Sequence, residues 1–121
     1  MNYAEIKTIL SEISDPVDRL EFVMDLGNSL PKIPAGAKAT EIKGCASRVE
    51  IYKDKNNNYY GAADAGLVRG ILAIVLSFAQ GKSATDIVAM NLSAEFARLN
   101  LQLGAGRMNG VAGIIEFLSN Q

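Results

Sequence analysis

Val49-Glu50-Ile51-Tyr52-Lys53, then Asp54-Lys55-Asn56-Asn57-Asn58, then Tyr59-Tyr60-Gly61-Ala62, is the stretch from which the fold can be read. From Ser47 to Lys53 the side chains alternate, with Val49 and Ile51 to one side and Arg48, Glu50 and Tyr52 to the other, as in a half-buried strand. The polar run from Asp54 to Asn58 is turn chemistry, so the two apolar stretches around it form an antiparallel hairpin with a loop of about five residues. Directly after it, Asp64 stands as an N-cap for a helix from Ala65 to about Gln80. Leu67, Val68, Ile71, Leu72, Ile74, Val75, Leu76 and Phe78 make that helix apolar nearly all round, which marks it as the central core element.

Outward from this centre the pattern is helical on both sides. Tyr3, Ile6, Ile9, Leu10 and Ile13 recur at helical spacing, and Ser14-Asp15-Pro16 then stops one helix and starts another. The second helix carries Val17, Leu20, Phe22, Val23, Met24 and Leu26 and ends at Gly27 and Pro31. An irregular connector from Pro31 to Ala39 leads to a short third strand in Thr40–Lys43. Beyond the core helix, Gly81-Lys82-Ser83 is a break and Ser83 opens a short helix through Ile87 and Val88. Ser93 caps the next, with Phe96 and Leu99. A loop from Gln102 to Gly106 precedes a last helix, Met108 to Leu118, with Val111, Ile114, Ile115 and Leu118 inward.

These elements predict one α+β domain over residues 1–121, a small antiparallel sheet with helices packed on one face. A chain of 121 residues with 49% hydrophobic content can bury a core without disulfides. The net charge of −1 argues against nucleic acid as a bulk electrostatic partner. Acidic residues crowd the start, from Glu5 to Asp25, whereas Lys32, Lys38, Lys43, Arg48, Lys53 and Lys55 make the following stretch basic. The first residues lack a basic and apolar leader, and the most hydrophobic run, Ile71–Ala79, is too short to span a bilayer. The expectation is a cytoplasmic protein with no membrane partner.

Chemistry has few candidates. The chain has one cysteine, Cys45, and no histidine, which excludes Ser-His-Asp and Cys-His relays. One thiolate cannot by itself hold an iron-sulfur cluster or a structural zinc, and no CxxC redox pair exists. Gly104-Ala105-Gly106-Arg107 lacks the lysine and hydroxyl of a phosphate-binding loop. Cys45 reads in two ways: as a small buried hydrophobe, or as a reactive thiol in a loop beside Gly44, with Lys43 and Arg48 favouring the thiolate.

The run Ile42-Lys43-Gly44-Cys45-Ala46-Ser47-Arg48-Val49, the run from Asp64 to Ala73, the pair Asp86-Ile87 and Arg107-Met108-Asn109-Gly110 stand in this order together with Asp25-Leu26-Gly27 and Leu30-Pro31. In these motifs the chain resembles the SufE-like family along nearly its whole length. It departs in Thr40, where the family often has asparagine, in Gly106, where serine precedes the arginine, and in a shortened stretch from Leu99 to Arg107.

The resemblance implies the fold shared by this family and the U-type scaffolds. It implies a non-classical role, leaving open whether the chain is itself an enzyme: a sulfur acceptor, carrier and activator for a cysteine desulfurase, SufS- or CsdA-like, that passes sulfur towards a downstream iron-sulfur scaffold. Cys45 would be the catalytic residue, carrying a transient persulfide, with Gly44 and Ser47 shaping its loop and Asp64 and Arg107 supporting it or contacting the partner. No cofactor or metal of its own is implied, since pyridoxal phosphate belongs to the partner. A rival reading is a scaffold-like or structural paralogue with an inert cysteine.

Overall fold

The computed structural model describes residues 1–44 and 47–121. These form six α-helices and a three-stranded antiparallel sheet, in the order α1 (Tyr3–Glu12), α2 (Pro16–Leu26), β1 (Thr40–Glu41), β2 (Val49–Lys53), β3 (Tyr59–Ala63), α3 (Gly66–Ala79), α4 (Ala84–Met90), α5 (Leu92–Ala97) and α6 (Ala105–Ser119). The α+β reading holds, with β2 central in the sheet. No single helix among the described residues is long and apolar enough to cross a membrane.

Local chemistry accounts for most boundaries. Asn2 and Glu5 form a reciprocal capping box at α1. Asp15 accepts from the N–H groups of Val17 and Asp18, with Pro16 in the first turn of α2. Arg19 then donates to the carbonyls of Leu10, Ile13 and Leu99, tying the end of α1 to the chain beyond α5. A cation there also faces the negative end of α1.

The hairpin forms as its alternation predicts. Val49 pairs with Ala63 and Lys53 with Tyr59, and the inward Val49, Ile51 and Tyr59 are fully buried. The Asp54 carboxylate holds the turn by accepting from the N–H groups of Asn56 and Asn58. The outer edge of β3 does not stay open. The side-chain amide of Gln80 accepts from the Tyr59 N–H and donates to the Tyr59 carbonyl, both at 2.8 Å, and Gly61 donates to Pro31.

Helix α3 is the hub, with Leu72, Ile74 and Leu76 fully buried against the sheet and the other helices. It crosses α2 at very short range. A β-carbon built on Gly70 would fall 1.8 Å from the carbonyl oxygen of Val23, so only glycine permits this approach.

Three boundaries depart from the sequence pattern. Asp64 is not the cap of α3: Ala65 occupies that position, and among the described residues no side chain caps it. Asn91, in the left-handed region at φ 52°, ends α4 and also caps α5 through the Ala94 N–H, displacing Ser93 from that role; Leu99 lies past the end of α5 but is buried. Helix α6 begins at Ala105, three residues before Met108, which places Gly106 and Arg107 in its first turn and not in a loop.

Candidate functional site

The segment around the thiol is the connection between β1 and β2. The two strands pair antiparallel, Thr40 with Ile51 and Glu41 with Glu50, and one further bond, Ile42 N–H to Val49 O at 2.8 Å, closes a loop of residues 43–48. Ile42 is buried, so the loop is anchored at its base by both a ladder bond and an apolar side chain. Cys45 and Ala46 lie outside the described residues; Gly44 and Ser47 flank them in sequence. Gly44 adopts φ +87°, a conformation that an L side chain would strain.

Asp64 follows directly after β3, beside the downstream stem. Its carboxylate accepts from the backbone N–H of Arg48 at 3.2 Å. The side chain that would have capped a helix instead fastens the loop to the hairpin. The Arg48 guanidinium turns to Glu50, 3.5 Å away, so this cation is matched by a carboxylate on the adjoining strand β2.

A cavity of about 400 Å³ opens between the first turns of α3 and α6. Leu67, Val68 and Ile71 of α3 and Leu103, Val111 and Ile114 on the opposite side give it apolar walls, while Ser47 brings the loop to its edge and Arg107 lines it from α6. Arg107 donates to the Leu103 carbonyl at 3.5 Å. A cation in the first turn of a helix opposes the macrodipole, at a cost of roughly 0.3–1 kcal/mol. The position of Arg107 is therefore not one that helix stability selects.

Of the residues singled out from sequence, Ser47 and Arg107 line one cavity, Gly44 packs towards α6, and Asp64 holds the opposite stem. The cavity walls from Leu67, Val68 and Leu103 were not foreseen as part of a site. Among the described residues no three His, Cys, Asp or Glu side chains converge to hold a metal ion.

Residues 4–121 match the family described as SufE, Fe-S metabolism associated domain. The chain belongs to the SufE family. It is 33% identical to the sulfur acceptor protein CsdE of Escherichia coli over 107 residues, covering 82% of this chain and 73% of CsdE. It is 31% identical to a SufE-like protein of Rhizobium meliloti over 115 residues, covering 86% and 82% of the two chains. The solution structure of a hypothetical protein from Thermus thermophilus superposes with a TM-score of 0.66 over 98% of this chain and 91% of that one. At 12% identity that likeness speaks to the fold alone. Within this SufE-family chain, Ser47, the apolar cavity and Arg107 lie together.

Proposed function

We propose that this protein accepts sulfur on Cys45 from the persulfide of a cysteine desulfurase and passes it on for iron-sulfur cluster assembly. The observation that carries the reading is that Ser47, two residues after the chain's one thiol in sequence, and Arg107 line a shared apolar cavity. Membership of the SufE family and similarity to a protein named as a sulfur acceptor support it.

The Cys45 thiolate attacks the terminal sulfur of the donor persulfide. One S–S bond forms as the donor's own S–S bond breaks, the donor cysteine leaves as thiolate, and Cys45 becomes the persulfide. No electrons are gained or lost overall, and no imidazole or bound cofactor is required. Pyridoxal phosphate chemistry stays in the SufS- or CsdA-like partner. Clearing the partner's blocked cysteine would also speed its turnover. Apolar walls would shield the oxidisable persulfide, and Arg107 would favour the anionic sulfur. The reaction would run in the cytoplasm, where thiols stay reduced.

Incubating the protein with a cysteine desulfurase and cysteine, then measuring intact mass, tests the proposal. A gain of one sulfur atom that is lost in Cys45→Ser supports it. No adduct and no stimulation of the desulfurase would leave the inert-cysteine paralogue as the correct reading.

A further inference from the structure

Helix α6 has a gap where the cysteine loop begins. A β-carbon built on Gly113 would fall 2.6 Å from the carbonyl oxygen of Lys43 and 3.3 Å from Cγ2 of Ile42. One turn earlier, a β-carbon on Gly44 would sit 3.9 Å from the Asn109 carbonyl. Residues 42–44 thus run across α6 at the step from Asn109 to Gly113, two positions that share a helix face. On its other side the same stem is fixed by the Ile42–Val49 bond. Glycine in a helix interior is unfavourable relative to alanine, so its presence at 113 works against the helix and in favour of the close approach.

We propose that Gly113 is a positioning residue for Cys45: its missing side chain lets the Lys43 carbonyl rest on α6 and sets how far the upstream stem stands from the cavity. This rests on the sulfur-acceptor reading above. Ordinary contact for a β-carbon begins at 3.4 Å, so a methyl group at 113 displaces the Lys43 backbone by most of an ångström. A shift of about 1 Å in a reacting group can cost on the order of a hundredfold in rate.

The test compares Gly113→Ala, Gly113→Val and Ala112→Val, an exposed neighbour on the same helix, in the full chain. Melting by circular dichroism reports the fold. The pH profile of Cys45 alkylation by iodoacetamide reports the thiol's setting without any desulfurase. Sulfur uptake is resolved into a maximal rate and a half-saturating donor concentration.

In Gly113→Val the alkylation profile shifts and the maximal uptake rate falls by about ten- to a hundredfold, with half-saturation changed far less. Gly113→Ala moves both in the same direction by a smaller factor, although alanine favours the helix. Ala112→Val matches the wild type. Wild-type alkylation profiles in both Gly113 variants overturn the proposal, and if Gly113→Val fails to fold, Gly113→Ala decides. A wild-type chain that takes up no sulfur overturns the acceptor reading instead, and the alkylation profiles still judge Gly113.

Discussion

The Asp64 carboxylate and the Arg48 backbone N–H meet at 3.2 Å, across the end of the β2–β3 ladder and on the downstream stem of the cysteine loop. The bond needs an acceptor oxygen, not a charge. Asp64→Asn therefore keeps near wild-type sulfur uptake, whereas Asp64→Ala releases the stem and lowers uptake by about tenfold through misplacement. Because the site is exposed, Asp64→Ala costs no more than about 1 kcal/mol in urea unfolding. Equal uptake defects in the Asn and Ala variants would show that the carboxylate acts as a charge.

Arg107 separates function from stability. Replacing it with glutamate puts an anion in the first turn of α6, where the helix dipole favours it, and adds about 0.5 kcal/mol to stability. The same change places negative charge on the cavity where an anionic sulfur would form. Arg107→Glu is expected to melt at or slightly above the wild-type temperature while losing most sulfur uptake, with Arg107→Lys intermediate. Full uptake in the glutamate variant would remove Arg107 from the mechanism.

The α2–α3 crossing is the part of the fold least tolerant of added volume. Gly70→Ala forces a methyl group into the Val23 carbonyl, a backbone atom that cannot swing aside. Overpacking of this kind costs on the order of 3 kcal/mol, which outweighs the gain of about 1 kcal/mol in helix propensity. Chemical denaturation should show a lower midpoint with an unchanged slope.

Alkaline stability depends on Tyr3. Burial first, then the negative charge of Glu95, push its hydroxyl from the ordinary 10.0 up to about 12, against a smaller opposing effect of Arg98. The ring packs edge-on against Phe78 at 4.2 Å, and the hydroxyl donates to the Glu95 carbonyl. A raised folded-state value means that the neutral form is stabilising below pH 10, and that this contribution is lost as the pH rises from 10 towards 12. Tyr3→Phe loses the bond to the Glu95 carbonyl, which lowers its stability at neutral pH, and having no phenol to ionise its melting temperature falls less steeply between pH 10 and pH 12. Tyr59 and Tyr60 are also raised, by burial and by the hydrogen bond to Asp54 respectively, so some slope remains.

The parts of the fold that were legible are those where one local signal and the tertiary context agree. Alternation plus a polar turn specified β2 and β3, Asp15-Pro16 specified the start of α2, and the all-round apolar character of α3 marked the hub. Misreadings occurred where two signals competed. Asn91 can adopt the left-handed conformation and so joins α4 to α5 without a connector, leaving Ser93 inside the helix that it seemed to cap. Gly104 and Gly106 both read as loop, yet only Gly104, at φ +81°, stays outside α6, and the buried face of Val111 and Ile114 belongs to a helix that starts at Ala105 and takes in Gly106. Asp64 has the side chain of a cap but sits one residue too early, at the end of a strand whose direction points it at Arg48. The loop residues Gly44 and Ser47 were evident from their motif. The gap at Gly113 was not, because it depends on a chain crossing that no local pattern encodes.

Strand β1 is only two residues long, and both are exposed. The β2–β3 hairpin is held by five residue pairs, by Gln80 and by the packing of α3, whereas the upstream stem of the cysteine loop has two pairs, the Ile42 bond and the contact of residues 42–43 with α6. A protein opens first where the fewest bonds must break. Peeling β1 away would loosen the upstream stem, residues 40–44, while the β2–β3 hairpin stays paired. In hydrogen exchange, Ile42 should lose its protection well before Ile51 does, and that interval measures how independently the upstream stem moves from the hairpin.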